Sequence, residues 1–302
     1  MSWRVVVISS NAKLDYKMEY LVVRTAESTK RIHIGEIAVL MLESTAVSLT
    51  AYLLCELAKN KVNVVFCDEK RCPTGTFLPF YASHDTSLKY RNQIKWAQDT
   101  KDFVWAEIVR AKISGQIAVL ESVGADGVGL LRSYLTEIES GDATNREGHA
   151  AKVYFNSLFG MDFSRSAECF TNAALNYGYS ILLSALCRET AANGYSTQIG
   201  IFHDNMFNAY NLACDLMEPF RPFVDSEALA LTADKSEFGH GEKMVFVRML
   251  NHTVRIDGKS QTMLNAIKIY AKSVFDAMNE NDISLIRFPA YELQIYENDC
   301  TL

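Results

Sequence analysis

Four side chains in three separated stretches are of the types that hold a hard divalent cation: Glu147 in NREGHAAKVYFNSLFG, His203 in QIGIFHDN, and Asp215 with Glu218 in NLACDLMEPFRP. Carboxylate oxygens and an imidazole nitrogen suit magnesium or manganese, and an ion held by such a set can assist phosphodiester chemistry. Asp215 and Glu218 are three residues apart, so on a helix they project from nearly the same face, close enough to share a metal or its bound water. Arg221 follows after another three residues, where an always-charged guanidinium can hold a phosphate oxygen of a nucleic acid. Pro219 and Pro222 are expected to end that helix.

Each of these residues has a plainer reading. A single His in an apolar run such as IGIFH is commonly a hydrogen-bonded core residue. Asp215 reads equally as a surface acid, and Glu218 as the partner of Arg221 in an exposed i,i+3 salt bridge. Glu147 reads as a first-turn acid favoured by the helix dipole, with Asp142, Thr144 or Asn145 as the cap. Spacing alone does not separate a metal site from solvated helix faces, because carboxylates three apart are common there.

The elements that must position these residues change character along the chain. The first 80 or so residues hold short β-branched runs between polar breaks: WRVVVISS, EYLVVRT, RIHIGEI, KVNVVFC and the extended PTGTFLPF. Between them STAVSLTAYLLCELAKN has apolar residues at helical spacing with a Ser or Thr available as cap, and its stripe Val47, Leu49, Leu53, Leu54, Leu57 reads as core. A polar linker is expected near His84 to Tyr90. From Arg91 onward the period is helical, through YRNQIKWAQDTKDFVWAEIVRAKISGQIAVLESVG, SYLTEIES, REGHAAKVYFNSLFG, TNAALNYGYSILLSALCRETAAN and FNAYNLACDLMEPF. The fold class is therefore α+β: a small β-rich domain over residues 1–90, β-sandwich-like with one helix, followed by a larger all-α catalytic domain over 91–302. The glycines of GADGVGLLRS follow no strand and lack dinucleotide-binding spacing, so a loop or helix break is expected. Asp257 and Gly258 in VRIDGKSQTML carry the signature of a tight hairpin.

Order and spacing of REGHAAKVYFNSLFG, NAALNYGYSILLSALCR, GYSTQIGIFHDN and NLACDLMEPFRP resemble the motifs of the CRISPR-associated integrase family, whose members install spacers in CRISPR arrays. The amino-terminal IHIGEIAVLMLESTAVSLTAYLLCELAKNKVNVVFCDEKRCPTGTFLPF is similar to that family's β-rich domain, in its compact type II form. The resemblance implies that Glu147, His203 and Glu218 are catalytic and hold Mg2+ or Mn2+, with Asp215 a secondary ligand. It implies that a 3'-hydroxyl of incoming DNA attacks the repeat strand, a transesterification that needs no ATP; no G-x-x-x-x-G-K-[ST] occurs in the chain. Arg221 is the candidate phosphate clamp. Arg146, Lys152 and Tyr154 are candidate DNA contacts, with solvation or core packing as the alternative. Asn176 is a candidate to orient a metal ligand or to hold a helix junction, and Tyr177 and Tyr179 to stack on a base or simply pack.

By the same resemblance the partners are DNA, as spacer precursor and CRISPR repeat; a second copy of the chain, joined through the β domains; a small ferredoxin-like companion; and, in type II systems, the effector nuclease and a ring-forming DNA-end-binding protein. Two other functions share these residues: an endonuclease that only hydrolyses DNA, with water as nucleophile, and a non-catalytic acidic scaffold.

Composition sets further bounds. The 302 residues are 49% hydrophobic, enough for a large core. No charge-free stretch is long enough to span a bilayer, and MSWRVVVISS lacks the form of a secretory signal, so a soluble cytoplasmic protein is expected. Seven cysteines, mostly in apolar runs such as YLLCEL and VVFCDE, are expected to be buried reduced thiols. Cys67 and Cys72 have no matching second pair, which argues against structural zinc. A formal net charge of −6 opposes a stand-alone nucleic-acid binder, and the acid excess sits in residues 91–302, with 19 Lys and Arg against 27 Asp and Glu. A basic partner or a dimer groove would offset it.

Overall fold

The structure, a computed structural model, describes residues 4–77, 83–232 and 238–291. Among the described residues eight strands occupy the amino-terminal region: β1 (Arg4–Ile8), β2 (Ala12–Lys17), β3 (Tyr20–Arg24), β4 (Thr29–His33), β5 (Ile37–Leu42), β6 (Val47–Leu49), β7 (Asn63–Cys67) and β8 (Pro73–Phe77). They form two four-stranded sheets, ordered β1-β5-β7-β8 and β4-β3-β2-β6. In the first, β1, β5 and β7 run parallel and β8 closes the edge antiparallel.

Alternation along β5 explains how this sheet joins the rest of the molecule. Leu40 and Leu42 enter one core with Val6, Ile8 and Val64 of the same sheet, Leu14, Leu21 and Val23 of the second sheet, and Leu53 and Leu57 of α1 (Ala51–Lys59). Val39 and Met41 point the other way, with Val65 and Cys67, into the core of the helical region. Because successive strand residues face opposite sides, a strand covered on both faces reads as the continuous apolar run IAVLML, every residue of which is buried.

The single expected helix of this region is shorter than its apolar pattern. Thr50 caps α1 by accepting a hydrogen bond from the Leu53 N–H at 3.2 Å. Val47 and Leu49 instead lie on β6, pairing with β2 and packing on the same core as the helix. Short apolar runs satisfy both periods, and here the pairing with β2 decides. The segment expected to be a linker contains the start of α2 (Thr86–Ile94). The residues 78–80 that end the last extended run lie outside those described.

The helical region is built on two long helices, α3 (Gln98–Ser122) and α6 (Phe170–Ala192), both buried on most of their faces. Around them lie α4 (Val128–Thr136), α5 (Arg146–Phe159), α7 (Asn211–Met217), α8 (Arg221–Thr232), α9 (His240–Met249) and α10 (Met263–Glu280). Gly124 and Gly127 of GADGVG form the turn between α3 and α4, at φ +63° and +96°, and Gly129 lies in α4. Asp257 and Gly258, both at positive φ, make the expected tight turn between β9 (Thr253–Ile256) and β10 (Lys259–Thr262), and β11 (Pro289–Ala290) adds a third strand to this small sheet.

Three further sequence expectations need correction. The larger region is mostly helical and not all-α, since β9, β10 and β11 pair within it. α7 does end at Met217, just before Pro219, but Pro222 ends nothing: Glu218–Phe220 forms a tight 3-10 turn and α8 runs on from Arg221, with Pro222 in a first turn that requires no N–H donor there. Of the cysteines, Cys67 and Cys187 are buried, and burial pushes both thiols up to about 12, whereas Cys55 and Cys169 are exposed. Cys55 stands two residues from Leu53 and Leu57, on the side of α1 turned away from the core. Cys300 lies outside the described residues. Among the described residues no helix is long and apolar enough to cross a membrane.

Candidate active site

Glu147 is placed by the start of α5. Asn145, at φ +52°, caps the helix through the Gly148 N–H, and Asp142 accepts from the backbone N–H of Arg146 and Glu147 at 2.8 and 3.0 Å. Two of the suggested caps thus act together, fixing the first turn and with it the glutamate. Glu218 is placed by the tight turn between α7 and α8, where its side chain is almost fully buried.

The two carboxylates meet on one cation belonging to the chain itself. Lys112 of α3 is buried, and its ammonium donates to both Glu147 Oε1 and Glu218 Oε2. Burial alone would push its pKa down; the charges of Glu218 and Glu147 outweigh this and raise it. Burial likewise pushes Glu218 up, but the Arg221 guanidinium and the Lys112 ammonium prevail and hold it at about 2. Arg221 donates from Nε to Glu218 Oε1 at 2.8 Å and covers the Tyr179 ring at 4.5 Å from its centroid. The i,i+3 pair considered from the sequence is therefore formed, in a largely buried setting.

His203 lies on the loop before α7, and Asp215 builds that loop. Asp215 is fully buried, and its Oδ2 accepts from the N–H groups of Ile201 and Phe202, its Oδ1 from the N–H of His203 at 3.1 Å. The same Oδ1 lies 2.5 Å from His203 Nδ1. Gly200 permits this wrap: a Cβ there would stand 2.2 Å from the His203 carbonyl oxygen and 2.8 Å from Asp215 Oδ2. The imidazole packs edge-on to Trp105, on which Phe202 stacks at 4.3 Å. Its pKa is raised, first by the hydrogen bond to Asp215, then by the charges of Asp215, Glu218 and Glu147.

Two carboxylates and an imidazole nitrogen, Nε2, left over by the Nδ1 contact make a donor set whose chemistry fits magnesium or manganese. The bridging ammonium marks the point where these side chains stabilise positive charge. Among the described residues no three His, Cys, Asp or Glu are grouped to close round one ion, and the space between the glutamates is held by Lys112. A divalent ion entering there has to displace the ammonium.

The remaining candidates fall in several places. Arg146 pairs with Glu137 at 2.8 Å and covers the Tyr134 ring, and Lys152 is exposed. Tyr154 is 0% exposed beside Asp225, so it belongs to the core and cannot touch DNA. Tyr177 and Tyr179 are also buried, which removes base stacking as their role; the Tyr179 hydroxyl donates to Asp225. Asn176 accepts from Arg165 at 2.7 Å, holding the α5–α6 connection and not a metal ligand. Burial pushes the Asp225 carboxyl up to about 6, against the Tyr179 hydrogen bond and the Arg221 charge.

Lys112, Asp225 and Arg165 were missed from sequence. Lys112 had a signal: it interrupts the apolar stripe Val104, Trp105, Ile108, Val109, Ile113 of α3, where an unpaired ammonium would not be buried. Asp225 likewise falls beside Val224 and one turn before Ala228 on the buried side of α8.

The model of the family described as CRISPR associated protein Cas1 matches residues 5–246. The CRISPR-associated endonuclease Cas1 of Neisseria meningitidis serogroup C (strain 8013) is 32% identical over 294 residues, 96% of either chain. Among solved structures, a Cas1 protein from Thermotoga maritima superposes with a TM-score of 0.75 at 19% identity, covering 96% of this chain and 100% of that one. A casposase bound to its integration product also gives a TM-score of 0.75 at 19% identity, covering 94% and 92%. At such identities the two structures speak for the fold, whereas the family match and the Neisseria relative speak for descent. The chain belongs to the CRISPR-associated Cas1 family.

Proposed function

We propose that this chain is a metal-dependent DNA integrase of CRISPR adaptation, joining the 3'-hydroxyl ends of spacer DNA to the CRISPR repeat by transesterification. The observation that carries the reading is the meeting of Glu147 and Glu218, 71 residues apart, on one buried ammonium, beside an imidazole whose Nδ1 is engaged by Asp215. Glu147, Glu218 and His203 Nε2 would hold a magnesium or manganese ion. When bound, such an ion stabilises charge on a phosphoryl oxygen and lowers the pKa of the attacking hydroxyl. The chain's own groups do the rest. Asp215, whose two oxygens already accept four contacts, orients His203 and is assigned no direct bond to the metal. Arg221 keeps Glu218 ionised within a buried site, so the glutamate is a ready oxygen donor at any physiological pH.

The names of the relatives support chemistry on a DNA backbone: the Neisseria protein is called an endonuclease, and the casposase was solved on an integration product. Homodimerisation through the β-rich region, assembly with a ferredoxin-like companion, and a cytoplasmic location belong to the same proposal.

The test is a gel assay with labelled spacer-like DNA, a repeat-containing plasmid and magnesium or manganese. Wild type is expected to form joined product, and Glu147→Ala and His203→Ala, folded by circular dichroism, to form none. Joining by either variant at the wild-type rate would refute the site, and shortened products without joining would make the chain a hydrolytic endonuclease.

A further inference from the structure

Arg165 lies in the connection between α5 and α6, outside the set of residues discussed for metal or proton chemistry. Its Nη1 donates to Asn172 Oδ1 and its Nη2 to Asn176 Oδ1 at 2.7 Å. The rings of Phe155 and Tyr179 flank the guanidinium at 5.9 and 5.5 Å from their centroids. Asn172 is itself fixed, its Nδ2 donating to the carbonyls of Ser164 and Ala167 at 2.8 and 2.7 Å. Every group holding Arg165 is neutral, and among the described residues no carboxylate pairs with it.

Arg221 provides the contrast on the same ring. It covers Tyr179 from 4.5 Å, but its Nε bonds to the Glu218 carboxylate, so its charge is offset within the protein. Tyr179 thus carries two guanidiniums, and the two acids near it, Glu218 and Asp225, act on Arg221, while neither pairs with Arg165. Arginines gathered on one aromatic ring repel each other, and stability gives no reason to leave one of them without a counter-charge. The amide oxygens of Asn172 and Asn176 set the orientation of the planar fork before any ligand arrives, which removes part of the ordering entropy of binding. They use two of its five N–H donors, leaving three for an anion. Arg165 is exposed, so an anion can reach it.

We propose that Arg165 binds a backbone phosphate of the DNA beside the Glu147–His203–Glu218 centre, and that Asn172 and Asn176 are the positioning residues that hold it for this contact. The inference rests on the DNA-joining reading above. It gives the acidic chain a local cationic contact where net charge predicts none, and it moves the phosphate-binding role expected of Arg221 to the neighbouring arginine.

The test measures binding of a fluorescent DNA duplex with single-stranded 3' ends by anisotropy, across a salt series without divalent ions, for full-length wild type, Arg165→Gln and Arg165→Lys. Gln keeps an amide donor for the asparagines and removes the charge; Lys keeps the charge and loses the fork. Arg165→Gln is expected to weaken binding roughly fivefold or more and to lower the slope of log affinity against log salt by about one unit, the signature of one lost phosphate contact. Arg165→Lys is expected to keep the slope with a smaller loss of affinity. Thermal unfolding of both variants is expected to match wild type. Unchanged affinity and slope in Arg165→Gln would overturn the assignment, as would equal losses in both variants at an unchanged slope with a lowered midpoint, which is what a merely structural role gives. A wild type that binds this DNA with the expected slope change but neither joins nor cuts it removes the integrase reading and leaves Arg165 as a phosphate contact. A wild type that joins DNA while Arg165→Gln binds normally removes Arg165 alone, and a wild type that binds no DNA removes both.

Discussion

The strand-rich and helical regions differ most in what they bury. Among the described residues before position 78, one charged side chain is buried, Glu43; after position 83 the buried charges are Lys112, Asp142, Glu189, Asp215, Glu218, Asp225 and Lys243. Taking a charge out of water costs several kcal/mol unless partners return it, so a region that buries many has exchanged easy stability for a fixed arrangement. Four of the seven, Lys112, Asp142, Asp215 and Glu218, hold or contact Glu147, His203 or each other. The sheet core achieves order by apolar fit; the helical core achieves it around a polar centre, with apolar packing outside.

This contrast can be broken at either end. In the strand-rich region, Leu40→Ala on β5, a fully buried side chain, should lower stability by about 3 kcal/mol, read from urea unfolding, because it removes apolar contacts and leaves a cavity. Divalent ions should not restore it. If manganese did rescue this variant, the two regions would not be energetically distinct.

In the helical region, Lys112→Met should cost a comparable amount, about 3 kcal/mol, since it leaves two carboxylates facing each other without their common counter-charge. Here manganese should return much of the loss, and its stabilising effect should exceed that on wild type, measured by the thermal midpoint with and without 1 to 10 equivalents of metal, about a tenfold range. Equal metal effects on both proteins would show that Lys112 does not occupy the cation's place.

Asp225 gives the pH signature. Its folded pKa of about 6 exceeds the unfolded carboxylate value, so the folded state holds the proton more tightly and stability falls as pH rises from about 4 to 6, then stays level. Asp225→Asn, which keeps an acceptor for Tyr179, should therefore gain on the order of 2 kcal/mol over wild type at pH 8 and match it near pH 4. A variant less stable than wild type at pH 8 would mean that the Asp225 charge is a net support for Arg221.

The mildest expected change is at Asp215. Asp215→Asn should lower metal affinity or joining activity roughly tenfold to a hundredfold, because it disturbs the orientation and basicity of His203 without removing a proposed ligand. A loss as complete as that of Glu147→Ala would make Asp215 a ligand after all.

Much of this was legible along the chain, for reasons that differ by residue. The β-branched runs, the Asp257–Gly258 turn and the capped start of α5 are local: their backbone preferences lie within a few neighbouring residues, and the structure keeps them. Val47 and Leu49 were misassigned because the strand β2 that claims them lies more than 30 residues away. Tyr154 was a candidate because it shares a motif with Glu147, and Asn176 because of its own motif LNYGYS, yet helix geometry turns Tyr154 into the core and sets Asn176 against Arg165.

The order of residue types along the chain determined the α+β division, the family and the candidate donors Glu147, His203, Asp215 and Glu218, since each depends on chemistry or periodicity carried by the residues themselves. Only the tertiary structure decided that Asp215 serves the histidine, that Lys112 stands between the two glutamates, and that Arg165 is left with its charge unopposed. Those outcomes depend on which side chains from distant segments share a buried space, where charge and hydrogen bonding are strong because water is absent.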